Sequence, residues 1–110
     1  MVVLKLLYIQ VFRILIDNLV EELISGLKHR LQSHEYSLDM ENEKILKNIL
    51  LKELRKPSIE QSRTPTQIVN NFLNKEFNES FSLTPADFGE KAHKLIMKWG
   101  FQKTKDMNEQ

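Results

Sequence analysis

Histidines and carboxylates are the side chains best suited to acid–base or metal chemistry. The histidines are His29, His34 and His93, and none stands in a spacing that binds zinc, such as His-x-His or His-Glu-x-x-His. His34 and Glu35 are the only adjacent histidine–carboxylate pair, and they fall in a predicted loop with no nucleophile signature nearby. We therefore expect no catalytic residue, no metal and no cofactor.

Other reactive groups are equally sparse in the sequence. The three glycines, Gly26, Gly89 and Gly100, stand far apart, so no glycine-rich phosphate loop is present. The chain has no cysteine, which excludes a disulfide framework, a thiolate zinc site and a cysteine nucleophile. These features predict a non-enzyme without a small-molecule substrate, and they fit a cytoplasmic protein.

Basic residues near the C-terminus show a spacing that suits phosphate binding. Lys91, Lys94 and Lys98 follow the pattern i, i+3, i+7, which places three ammonium groups along one side of a helix. The alternative is a solvated lysine face. The net charge is only +1, from 16 basic and 15 acidic residues, so any nucleic-acid binding depends on local patches. Further basic candidates in the same region are Arg63, Lys75, Lys103 and Lys105.

The two helices predicted in the C-terminal region begin with the same sequence signal. The second of these helices carries Lys91, Lys94 and Lys98. Residues 64–67 (TPTQ) and 84–87 (TPAD) each place a threonine at the N-cap and a proline at the first helical position. Gln67 is placed to close a capping box, and Asp87 lies favourably at the helix dipole. The sequence predicts a first helix ending near Glu76. It predicts a second helix over 85–99, closed by Gly100 as a left-handed C-cap.

The order of these elements resembles a winged helix-turn-helix. The two helices are joined by residues 77–83, and the polar run 102–105 is a candidate strand of a short wing. The motifs Thr64-Pro65-Thr66-Gln67-Ile68, Phe88-Gly89 and Lys98-Trp99-Gly100-Phe101 are similar to the C-terminal winged-helix modules of primase-helicase replication proteins of phages and mobile elements. This resemblance covers residues 63–105 and implies a DNA-binding unit.

The first 31 residues are the most apolar part of the chain. Lys5, Gln10 and Arg13 interrupt the apolar run, and no cleavage signal follows it, so we expect neither a membrane span nor a signal peptide. At helical spacing one apolar stripe is predicted to form an oligomer or partner interface. Its residues are Tyr8, Phe12, Leu15, Leu19, Leu23 and Leu27.

The apolar face of this predicted helix is too broad for a single helix–helix contact, so it must be covered on more than one side. A predicted middle helix over 41–55 supplies one cover, and Ser37 or Asp39 is its candidate cap. A second copy of the protein supplies the other cover. The alternative is that the C-terminal unit covers it within the same chain.

The predicted fold is all-α or nearly so, with a long N-terminal helix, an antiparallel middle helix and a C-terminal helix-turn-helix or degenerate winged helix. Residues 1–57 form a scaffold or oligomerisation region, 58–63 a linker, 64–105 the helix-turn-helix-like unit and 106–110 a disordered tail.

The leading functional interpretation is a small DNA-binding accessory protein, a replication or regulatory factor of a mobile element. It would bind single- or double-stranded DNA and act as a homo-oligomer or with a larger replication protein. One alternative is a helical protein–protein adaptor that binds no nucleic acid and docks through its apolar N-terminal helix. Another is an antitoxin-like inhibitor.

Overall fold

The protein is built from α-helices that surround one long helix. A computed structural model describes residues 2–56, 60–61 and 63–108, and within these ranges it describes side chains from residue 10 to residue 105. The helices are α1 (Val2–Ser33), α2 (Met40–Leu54), α3 (Pro65–Phe77) and α4 (Glu90–Asn108), and a 3₁₀ turn (Pro85–Phe88) precedes α4. No β-strand occurs in the described ranges, so the all-α prediction is confirmed.

Helix α2 packs against α1 in the antiparallel direction. Lys28 Nζ lies 3.3 Å from Glu43 Oε2, whereas at the other end of α2 the Arg55 guanidinium lies 2.8 Å from Asp17 Oδ1. Asp39 caps α2, since its carboxylate accepts the backbone N–H of Asn42 at 2.7 Å. The predicted middle helix and its Asp39 cap are therefore confirmed.

One hydrophobic core joins the two regions that the sequence suggested. Every helix contributes to it, and the 3₁₀ turn adds Phe88. Helices α2 and α4 pack against α1, whereas α3 packs against α2. The two helices of the predicted helix-turn-helix thus rest on different neighbours.

Helix α3 begins as its sequence predicts. Thr64 Oγ1 accepts the backbone N–H of Gln67 at 3.2 Å, and Gln67 Oε1 accepts the backbone N–H of Thr64 at 2.9 Å. These reciprocal bonds form the predicted capping box. The helix ends at Phe77, one residue after the predicted Glu76, and Asn78 follows in the left-handed conformation.

Side-chain amides of α3 fix the connection that follows it. Asn70 accepts the backbone N–H of Leu83 at 2.9 Å and donates to the carbonyl of the same residue at 3.0 Å. Asn74 accepts the backbone N–H of Phe81. Because these amides replace the backbone partners that a loop lacks, the connection lies against α3 in a defined path.

The predicted helix over 85–99 is wrong at its start. Residues Pro85–Phe88 form a 3₁₀ turn, Gly89 has a φ of 95°, and α4 begins only at Glu90. Phe88 is buried against α1 at Gly26, where an added Cβ would lie 1.8 Å from the Phe88 carbonyl oxygen. This close approach sets the position of the turn, and the chain uses the freedom of Gly89 to redirect into α4.

The predicted C-cap at Gly100 and the wing strand over 102–105 are also wrong, because α4 continues to Asn108. A glycine inside a helix lowers the stability of the helix by only about 1 kcal/mol relative to alanine, so α4 can continue through Gly100. Lys103, one turn further on, lies over the Trp99 ring at 5.2 Å and donates to the Gln61 carbonyl at 3.3 Å.

The same continuation of α4 includes residues 106–108 of the predicted disordered tail. The remaining tail residues, 109–110, and linker residues 58, 59 and 62 lie outside the described ranges.

Candidate functional site

A row of lysines runs along the exposed side of α4. Lys91, Lys94 and Lys98 are exposed as the spacing suggests, and Lys105 is exposed seven residues after Lys98 on the same side. Lys94 Nζ lies 3.0 Å from Glu90 Oε1 in an exposed ion pair, which contributes little stability. These four residues are called the lysine stripe below.

The other basic candidates lie elsewhere. Arg63 and Lys75 line a hollow between α2 and α3, and the Arg63 guanidinium lies 4.0 Å from Glu53 Oε2. Lys103 is half-buried and held over Trp99. The structure therefore brings together four of the seven predicted nucleic-acid-binding residues, and the other three do not extend the stripe.

The predicted interface on α1 is mostly core. Leu15, Leu19, Leu23 and Leu27 are buried within the single chain. Helix α2 covers one side of α1, and the 3₁₀ turn with α4 covers another, because the C-terminal unit packs along α1. These four leucines are thus not available to a partner in this structure, which corrects the sequence-based assignment.

The N-terminal end of α1 retains an apolar surface. Val11 and Ile14 are 65% and 59% exposed, and they lie one turn apart on the same side of the helix. Phe12 is half-buried, and Tyr8 lies outside the residues whose side chains are described. Arg55, the residue that follows α2, forms an ion pair with Asp17. Helix α2 therefore ends beside residue 17 and does not extend along the part of α1 that precedes it. Residues 2–14 are called the α1 end.

A second apolar surface, the α3–α4 groove, was not predicted from the sequence. Its walls are the first turns of α3, the segment 83–85 and the middle of α4. Met97 and Phe101 on α4 are 59% and 70% exposed along it. A sequence signal for this surface was present. Met97 and Phe101 are large apolar residues spaced i, i+4, and they lie outside the buried stripe that contains Ile96 and Trp99.

Asp87 links the 3₁₀ turn to α1. Its Oδ2 accepts the backbone N–H of Thr84 at 2.7 Å and the Thr84 hydroxyl at 3.1 Å, and Oδ1 lies 3.6 Å from the Arg30 guanidinium. The backbone hydrogen bond from Thr84 is the largest cause that lowers the pKa of Asp87. Thr84 occupies the predicted N-cap position, although of a 3₁₀ turn, and its hydroxyl donates to the Asp87 carboxylate.

Within the described ranges, no three His, Cys, Asp or Glu side chains lie close enough together to hold a metal ion. None of the described helices combines the length and the apolar character needed to span a bilayer.

Comparison with protein-family models, curated proteins and solved structures found no match to this chain. Three surfaces of the molecule are therefore the candidates for a functional site: the lysine stripe, the α1 end and the α3–α4 groove.

Proposed function

We propose that this protein is a non-enzymatic helical adaptor that associates with a second copy of itself through the α1 end. The observation that carries the proposal is the exposure of Val11 and Ile14 on a helix whose preceding residues, VVLKLLYI, are nearly all apolar. A helix with this composition is stable in water when its apolar side is covered.

A second copy is the most economical cover for this surface. In a two-fold contact the same surface is buried on both subunits, so no further partner is needed. Apolar burial contributes about 25 cal/mol per Å², and two large exposed side chains per subunit contribute directly to that area. The charged residues near Val11 and Ile14 are Arg13, Lys98 and Lys105. Their long side chains can reach water from the edge of an apolar surface.

Sedimentation velocity over a range of protein concentrations tests this proposal. The wild type is expected to associate, and the double substitution Val11→Glu with Ile14→Glu is expected to give monomers, because buried carboxylates oppose the contact. Met40→Glu is the matched control, since Met40 is 86% exposed on α2, away from the α1 end. A wild type that remains monomeric and fully soluble at high micromolar concentration contradicts the proposal.

The lysine stripe favours nucleic-acid binding as a second candidate function. Its four exposed ammonium groups lie on one side of α4 between residues 91 and 105, a span of about 21 Å along the helix. Such a row matches a phosphate backbone better than the scattered positions of Arg63 and Lys75. The replication role implied by the resemblance to winged-helix modules remains part of this second proposal.

A salt-titrated binding assay on single- and double-stranded oligonucleotides tests the second candidate. Replacing Lys91, Lys94 and Lys98 with Gln is expected to weaken binding to all sequences and to flatten the salt dependence by about one unit of slope per lost contact.

Gln substitutions at three α2 lysines provide a charge-matched control for the salt assay, namely at Lys44, Lys47 and Lys52. If the wild type binds no oligonucleotide even at low salt, or if both triple variants lose affinity equally, the lysine stripe is not a nucleic-acid site.

A further inference from the structure

The α3–α4 groove is large and open to solvent. Its volume is about 1180 Å³, above the roughly 300–1,000 Å³ of most small-molecule sites. It runs beside α4 from Ile96 to Thr104, which corresponds to about two helical turns. These dimensions suit a short segment of another macromolecule.

The surface of the groove is mainly apolar. Met97 and Phe101 project from successive turns of α4 and are largely exposed. Leu83, before the 3₁₀ turn, and Pro85, its first residue, contribute further apolar surface. Exposed methionine and aromatic side chains that lie together are enriched in protein interfaces. The groove therefore offers adjacent apolar anchor points.

Two buried polar atoms in residues that line the groove lack hydrogen-bond partners among the described residues. They are Thr66 Oγ1 and the indole Nε1 of Trp99, and the residues are 9% and 3% exposed. An unsatisfied buried polar group costs about 1–3 kcal/mol. Both atoms are themselves enclosed by the protein, so neither is a contact point on the groove surface.

The charge of the groove narrows the choice of ligand. Among the described residues that line it, Lys98 is the one charged side chain, and no carboxylate is present. The rest of the lysine stripe continues along the same helix. A ligand with acidic side chains beside apolar ones therefore complements the apolar walls and the Lys98 ammonium group.

We infer that the α3–α4 groove binds an amphipathic, acidic helix of another protein. Apolar residues of that helix, spaced i, i+4 and i+7, would pack on Met97 and Phe101, and an acidic residue would face Lys98. The α1 end of a second copy is a poorer ligand, because Lys5 and Arg13 would add positive charge beside Lys98.

This inference goes beyond the proposed self-association and depends on Met97 and Phe101, whereas self-association depends on Val11 and Ile14. Lys98 lines both surfaces, so the variants that separate the two interactions leave Lys98 unchanged.

The experiment titrates ¹⁵N-labelled protein with a synthetic amphipathic peptide of about four helical turns, with leucines on one side and glutamates on the other. The chain contains one tryptophan, so the indole N–H gives a single, assigned NMR signal within the groove. We expect this signal to shift and saturate with the glutamate peptide. A peptide with lysine in place of every glutamate is expected to bind at least about tenfold more weakly.

Glutamate substitutions inside and outside the α3–α4 groove show where the peptide binds. Phe101→Glu is expected to lower the affinity for the glutamate peptide about tenfold. Met40→Glu is expected to leave it unchanged. Both residues are largely exposed, so neither substitution disturbs the core. Val11→Gln with Ile14→Gln, which adds no carboxylate beside Lys98, is expected to bind the peptide normally even though self-association is lost.

Three results would overturn the inference. The first is an indole signal that the glutamate peptide does not move at concentrations up to about 1 mM. The second is equal affinity for the glutamate and lysine peptides. The third is a shift of the indole signal by oligothymidine and not by the glutamate peptide, which would assign the groove to nucleic acid.

Discussion

Two threonines with the same sequence context have different roles. Thr64 accepts a backbone N–H from Gln67 and closes a capping box, whereas the Thr84 hydroxyl donates to the Asp87 carboxylate. The shared Thr-Pro signal predicted a cap at both positions. The difference arises because residues 85–88 form a 3₁₀ turn, in which the Asp87 N–H already bonds to the Thr84 carbonyl at 3.0 Å.

Alanine substitutions distinguish these roles. Thr64→Ala is expected to lower the free energy of unfolding by about 1 kcal/mol, the usual cost of losing an N-cap. Thr84→Ala is expected to cost less, because Asp87 still accepts the backbone N–H of residue 84. Urea denaturation followed by circular dichroism measures both. An equal or larger loss for Thr84→Ala would show that its hydroxyl stabilises the turn as strongly as a cap.

Asp87 is expected to make stability depend on pH. Its pKa is lowered in the folded protein from the usual value of 3.8. The stabilisation is therefore fully present above pH 3.8 and is lost as the pH falls through the lower folded pKa.

Replacing Asp87 with Asn keeps a carbonyl acceptor for Thr84 and removes the titration. We expect the free energy of unfolding of Asp87→Asn to fall less than that of the wild type between neutral pH and pH values below 3.8. Parallel denaturation curves at each pH measure this. Identical pH profiles for the two proteins would show that Asp87 does not contribute.

At the scale of elements, glycine has opposite roles in α1 and α4. Gly26 lies where α1 meets the 3₁₀ turn, and a Cβ there would come within 1.8 Å of the Phe88 carbonyl oxygen. Gly100 lies inside α4, where an added Cβ would meet nothing within 4 Å. Helix propensity favours alanine at both positions, so the difference between them isolates the packing.

Gly26→Ala is expected to destabilise the protein by about 1–3 kcal/mol, since the helix and the turn must move apart. Gly100→Ala is expected to stabilise it by about 0.5–1 kcal/mol. Thermal unfolding of the two variants gives the comparison. If Gly26→Ala is also stabilising, the close packing of α1 on the turn is not present in solution.

The sequence allowed the helices to be predicted better than their junctions. Asp39 and the Thr64–Gln67 box are local signals, so α2 and α3 were located within a residue or two. The start of α4 depends on the contact between Phe88 and Gly26, which are distant in sequence. Its extension past Gly100 accompanies contacts of Lys103 with Trp99 and Gln61. Local patterns do not contain these tertiary contacts.

At the scale of the whole molecule, the single core explains which of the residues predicted to form an interface on α1 are exposed and which are buried. The broad apolar pattern on α1 predicted that this helix is covered on more than one side, and it is. From Leu15 onward the covering elements are α2 and the C-terminal unit of the same chain, not a second copy. Among the described side chains of the α1 end, Val11 and Ile14 remain exposed. The spacing of Met97 and Phe101 could have indicated an exposed apolar pair, but not the α3–α4 groove itself, because its walls come from elements that are separated in the sequence.

The most direct test of self-association measures which surfaces approach each other between two copies. The chain has no cysteine, so Ile14→Cys and Met40→Cys each introduce a single position for a spin label. If the α1 ends pair, the distance between labels on two copies is short at position 14 and clearly longer at position 40. Comparable distances at both positions, or no dipolar coupling at position 14 at high micromolar protein, would contradict pairing through the α1 end.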